Sequence, residues 1–199
     1  MRPAHAQEEF LNLLNPEFGQ LHLRSDYRFT YFPDEPVANQ ATDLGFTQHD
    51  VTAEVPLYQG PTDEWAASFR LRAQEFDTGA VFPDSGEPFP DELWNIRFGT
   101  SYRHRFDSGW IGAITLTVGS PSDSPFDSLD ETDINTTAIL RVPSGEHGAW
   151  LFFINYASNR EFLPGIPIPG AGYQYEPSDQ LSAVVTRGSS RCGIVRSSR

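Results

Sequence analysis

The chain is expected to be all-β, an antiparallel up-and-down meander forming an outer-membrane-type β-barrel. Three observations predict this. Segments such as Leu21 to Tyr31, LHLRSDYRFTY, alternate apolar and polar residues, which is the period of a strand whose two faces meet different surroundings. The composition favours strands over helices, with 15 Phe, 7 Tyr and 4 Trp, while 16 Gly and 16 Pro supply turns. The connections between candidate strands alternate long and short, as in a barrel whose turns are tight at one rim and extended at the other.

At 199 residues the chain suits one domain. Residues 1–18 read as an N-terminal segment. In it Ala4-His5-Ala6 fits the small-x-small pattern that signal peptidase cuts after, with Gln7 as the mature start, so an exported chain is expected. Residues 19–185 read as the barrel domain. Residues 186–199 form an atypical basic tail.

Nine strands are expected between residues 19 and 185. The first, Gly19 to Phe32, sets Leu21, Leu23, Tyr27, Phe29 and Tyr31 against His22, Arg24, Asp26, Arg28 and Thr30. The second, Phe46–Tyr58, carries Asp50 and Glu54 on its polar face. In the third, Glu64–Phe76, Trp65, Ala67, Phe69, Leu71 and Ala73 oppose Ser68, Arg70, Arg72 and Gln74. The fourth, Glu92–Phe106, sets Trp94, Ile96, Phe98 and Tyr102 against Asn95, Arg97, Ser101, Arg103 and Arg105. Trp110–Gly119 follows, and then Asp133–Val142 sets Ile134, Ala138, Leu140 and Val142 against Asn135, Thr137 and Arg141. Ala149–Ala157, Ala171–Glu176 and Gln180–Val185 complete the series. Gly99 and Gly112, inside strands, mark places where side chains need room.

Alternation does not say which face is wet. A soluble sheet buries the apolar face, whereas a membrane barrel turns it to lipid and keeps the polar face inside. Eight of the ten Arg residues before the tail lie on polar faces, and Asp26, Asp50 and Glu54 share those faces. In a barrel they line the lumen as paired charges: Arg24, Arg28, Arg70, Arg72, Arg97, Arg103, Arg105 and Arg141 with the three acids. In a soluble sandwich they form a solvated face. The tryptophans favour the barrel. Trp65, Trp110 and Trp150 open strands after short turns and Trp94 opens one after a long loop, which places these amphipathic rings near the membrane interface.

Other classes of function find little in the sequence. A net charge of −13 argues against a nucleic-acid partner. All 14 basic residues are Arg, as a GC-rich genome would give. A single cysteine, Cys192, allows neither an internal disulfide nor a CxxC metal site. No run of about 18 apolar residues provides a spanning helix, which says nothing against spanning strands. HExxH, GxSxG, phosphate-loop and zinc spacings are all missing, so no catalytic residue, metal or cofactor is expected. His104, with Ser101 nearby, is the best hydrolase candidate, yet the two residues have opposite parity on their strand. The acidic run Asp123 to Asp133 reads as a solvated loop. It lacks the ligand spacing of a calcium loop.

The stretch LPGIPIPGAGYQYEPSDQLSAVV, Leu163 to Val185, together with the strand plan, resembles a family of uncharacterised bacterial outer-membrane β-barrel proteins, a domain of unknown function. The resemblance covers about Gln7 to Val185. It implies a fold and a location in the bacterial outer membrane, and no reaction.

The end departs from that pattern. TRGSSRCGIVRSSR, Thr186 to Arg199, holds four Arg and no acid, breaks the alternation and lacks the terminal aromatic of a closing strand. A truncated or frame-shifted barrel, incomplete at its C-terminus, is the expectation. Three functions stay open: a structural or passive-channel (porin-like) barrel, whose Arg lumen favours small anionic solutes and whose partners are outer-membrane lipid and lipopolysaccharide; a soluble exported β-protein binding through its long loops; and an outer-membrane lipid hydrolase using His104.

Overall fold

Residues 13, 17–128, 131–160, 163–178, 181–187 and 193–196 are described by the computed structural model. The period-2 segments form one antiparallel sheet in which every strand pairs with its neighbours in sequence. The strands are β1 (Arg24–Pro36), β2 (Asp43–Gln59), β3 (Asp63–Thr78), β4 (Glu92–Arg105), β5 (Ile111–Ser122), β6 (Asp133–Pro143), β7 (Gly148–Ala157) and β8 (Ile168–Ser178). Two shorter strands, β9 (Leu181–Arg187) and β10 (Gly193–Arg196), extend the meander.

Proline punctuates the strands where a missing N–H does least harm. Pro36 and Pro143 end β1 and β6, and Pro56 sits at the register shift of β2 against β3. The β4–β5 turn closes through Gly109 at φ +78°, a left-handed position that a side chain would strain. Gly99 provides room, as expected: a Cβ there would run into the Ser68 hydroxyl.

Several expectations are corrected. The first strand begins at Arg24 rather than Gly19, so Leu21 and Leu23 precede the sheet. It also runs past Phe32, because a bulge between Phe32 and Glu35 lets Glu35 and Pro36 pair with Leu44 and Asp43. The first long connection thereby shortens to residues 37–42, although it remains longer than the turn at 60–62 that follows. The tail is not wholly outside the sheet: Thr186 and Arg187 belong to β9, and Gly193–Arg196 forms β10, giving a tenth strand where nine were expected. The expected closure is not seen. Among the described residues β1 and β10 share no register, and the sheet is open. The Ala4–Ala6 cleavage pattern lies outside the described residues.

Candidate functional site

Residues directly opposite in an antiparallel pair share a face. The register therefore fixes where each charged residue sits. Arg24 faces Glu54, Asp26 faces Thr52 and Arg28 faces Asp50 across β1 and β2. Asp50 faces Arg72 and Thr52 faces Arg70. Arg70 then faces Arg97, Glu64 faces Arg103, Arg105 faces Ile111 and Ile111 faces Arg141. All eleven expected lumen residues thus lie on one side of the sheet, called here the inner face. Glu64 joins them. The alternation of β3 put it on that side, but its partner could not be read, because β3 and β4 are joined by a long connection that leaves their register open.

The inner face is built from ion pairs. The Arg72 Nε–H donates to Asp50 Oδ1 at 2.7 Å, and Gln48 Nε2 donates to the other carboxylate oxygen at 2.5 Å. Arg103 Nη1 lies 2.8 Å from Glu64 Oε2, with Glu64 1 % and Arg103 6 % exposed. Arg141 Nε–H donates to Gln174 Oε1 at 3.2 Å. Arg70 and Arg97 stand opposite one another as like charges, which is unfavourable at cross-strand distance. Relief comes from Gly119. A Cβ there would lie 2.6 Å from Arg97 Cγ, so the bare backbone lets Arg97 lean over β5 to within 3.6 Å of Asp133. Arg70 makes no ion pair among the described residues.

The opposite, outer face carries the large apolar side chains, half exposed. Phe98 is 55 %, Ile114 49 % and Phe152 47 % exposed. On β3 this apolar row runs from Trp65 through Phe69 and Leu71 to Ala73, and then gives way to Glu75 and Asp77. Aromatic residues gather at the short-turn rim. Tyr58, Trp65 and Tyr102 lie in one cross-strand row, Trp110 precedes β5, and Trp150 meets Tyr173 edge-on at 5.0 Å. Trp65 donates its indole N–H to Thr100 Oγ1 at 2.5 Å, whereas Trp94, toward the other rim, bonds Glu92 at 3.2 Å.

Two further clusters were not legible in the sequence. At the short-turn rim Asp63 Oδ1 accepts from Tyr102 Oη at 2.5 Å and lies 2.7 Å from His104 Nδ1, while Thr62 bonds Oδ2. At the long-connection rim, rings pack in a chain from Phe32 through Phe46 and Phe76 on the inner face to Phe89 and Phe82 of the β3–β4 connection, with centroids 4.1 to 5.4 Å apart. On the outer face of the same rim a cleft is lined by Tyr31, Asp34, Glu75 and Asp77.

Chemically, the inner face is a wall of paired charges. His104 points to the outer face with Tyr102 and Asp63, while Ser101, one residue out of phase, shares the inner face with Arg103. The two are not brought together as a nucleophile and base would be. Of the acidic run, Asp133 is engaged by Arg97, and no group of metal-ligating side chains occurs among the described residues. Compared with protein-family models, curated proteins and solved structures, the chain matches none.

Proposed function

We propose that this chain is an outer-membrane β-barrel protein with a structural or passive-channel role, its outer face against lipid and its Arg-rich inner face lining a lumen. One observation carries the reading: burial is inverted. The ion pair of Glu64 and Arg103 is deeply buried, while large apolar side chains of the other face stand half exposed on strand after strand. Water-soluble sheets bury the apolar face instead, and charged residues are the least often buried. In lipid the same exposure carries no penalty.

Lengths and rims support the same reading. The apolar row on β3, Trp65 to Ala73, matches the roughly 9–11 residues a tilted strand uses to cross the hydrocarbon core. Its Trp and Tyr rim suits the lipid–water interface, where one side of the ring is apolar and the N–H or O–H finds a polar partner. Lipopolysaccharide would meet the long-connection rim. The chain's net charge is −13, yet its inner face gathers eight Arg beside the acids they pair with, and water passing that wall would carry small anions in preference to cations. Bilayer conductance with unequal salt on the two sides tests this: the reversal potential should have the sign of anion preference.

A further inference from the structure

The inner face is not bare. Leu13 packs on Ile139 and Leu151, the two large apolar side chains buried there on β6 and β7. A few residues later Phe18 lies under two guanidiniums, with Arg103 Cζ and Arg105 Cζ each 4.5 Å from its ring centroid. The next residue, Gly19, donates its backbone N–H to Glu64 Oε1 at 2.5 Å. Arg103 Nη2 reaches back to the Glu17 carbonyl at 3.5 Å.

These contacts share one design. Glu64 holds Gly19 with one carboxylate oxygen and Arg103 with the other, so strand β3, strand β4 and the N-terminal segment meet at a single buried carboxylate. Arg103 serves the same three parties through Glu64, Phe18 and Glu17. Aromatic faces attract cations, and burial from water strengthens that attraction. The apolar residues Ile139 and Leu151, which an aqueous lumen would not favour, are covered by Phe153 of β7 and by Leu13.

We infer that Leu13 and residues 17–19 form an internal plug on the inner face, Leu13 against β6 and β7, and Phe18 and Gly19 against β3 and β4, latched by Glu64, Arg103 and Arg105. The inference rests on the barrel reading for its consequence, a lumen closed in the resting state, but the seat itself does not depend on a membrane. Opening requires Phe18 to leave the two guanidiniums and Gly19 to release Glu64. Departure of Phe18 would uncover the guanidinium faces of Arg103 and Arg105 to an entering anion, which couples plug release to anion entry.

The test uses the full chain with Leu13→Cys and Ile139→Cys in a Cys192→Ser background, oxidised mildly and then reduced, with folding checked by circular dichroism. A seated plug crosslinks in the folded protein. Oxidised protein in planar bilayers should then open rarely, and reduction should restore openings. Phe18→Ala in the otherwise unaltered chain should raise the open fraction about tenfold, since both cation–π contacts are lost. Failure to crosslink in the folded protein, or equal conductance before and after reduction, would overturn the plug. Sedimentation of the same samples with membranes is read separately: crosslinked protein that stays in water without detergent overturns the barrel reading and leaves the seat standing.

Discussion

Glu64 and Arg103 face each other across β3 and β4 as a 2.8 Å ion pair more deeply buried than any large apolar side chain on the opposite face. Breaking one side of such a pair strands the other charge. Glu64→Gln should therefore destabilise the fold by about 3–5 kcal/mol, whereas Glu64→Leu with Arg103→Met should come close to neutral. Denaturant midpoints of the two variants check this. Equal loss in both would mean that side-chain shape, and not charge pairing, sets stability there.

The outer face should respond to charge according to depth. Phe98 lies mid-strand on β4, while Tyr102 lies in the aromatic row at the rim. Phe98→Arg should cost about 2–4 kcal/mol and Tyr102→Arg about 0–1 kcal/mol when folding is measured in lipid vesicles. A flat profile would speak against lipid at this face.

Arg70 is the clearest handle on selectivity, since it faces Arg97 on the inner face and has no ion pair among the described residues. Arg70→Glu should leave the unfolding free energy within about 0.5 kcal/mol of the parent and shift the reversal potential toward cations. An unchanged potential would place the conduction path elsewhere.

Gly119 is expected to tolerate no side chain. In Gly119→Leu the new Cβ meets Arg97 Cγ and, at 3.1 Å, the Ile96 carbonyl, so Arg97 would be pushed off Asp133 and back toward Arg70. A loss of about 1–3 kcal/mol in unfolding free energy follows from such overpacking. Gly119→Leu combined with Arg97→Ala should recover part of it.

Much of the sheet was readable because a half-buried strand writes its period into every second residue. The strands from β2 to β7 fall where the alternation of Trp65 to Ala73 or Ile134 to Val142 put them, and the expected lumen residues share one face because they share one parity. What failed was information that lies between strands. The Phe32/Glu35 bulge lengthened β1, and neither propensity nor period announces a bulge. Glu64 could be placed on a face but not paired, since cross-strand partners depend on register through a long connection. Ile139 and Leu151 sit on the polar parity, and their packing with Leu13 and Phe153 depends on contacts that no period announces. Phe18, read only as part of the N-terminal segment 1–18, gains its meaning from Arg103 and Arg105, which are distant in sequence.

The most direct test of the central claim is where the exported chain goes. Expressed behind a signal peptide, it should sediment with outer membranes and stay in the pellet through carbonate washing, as a protein whose outer face meets lipid must. A chain that stays in solution without detergent and remains folded would contradict the account. The half-exposed row of Phe98, Ile114 and Phe152 would then need a protein partner rather than a bilayer.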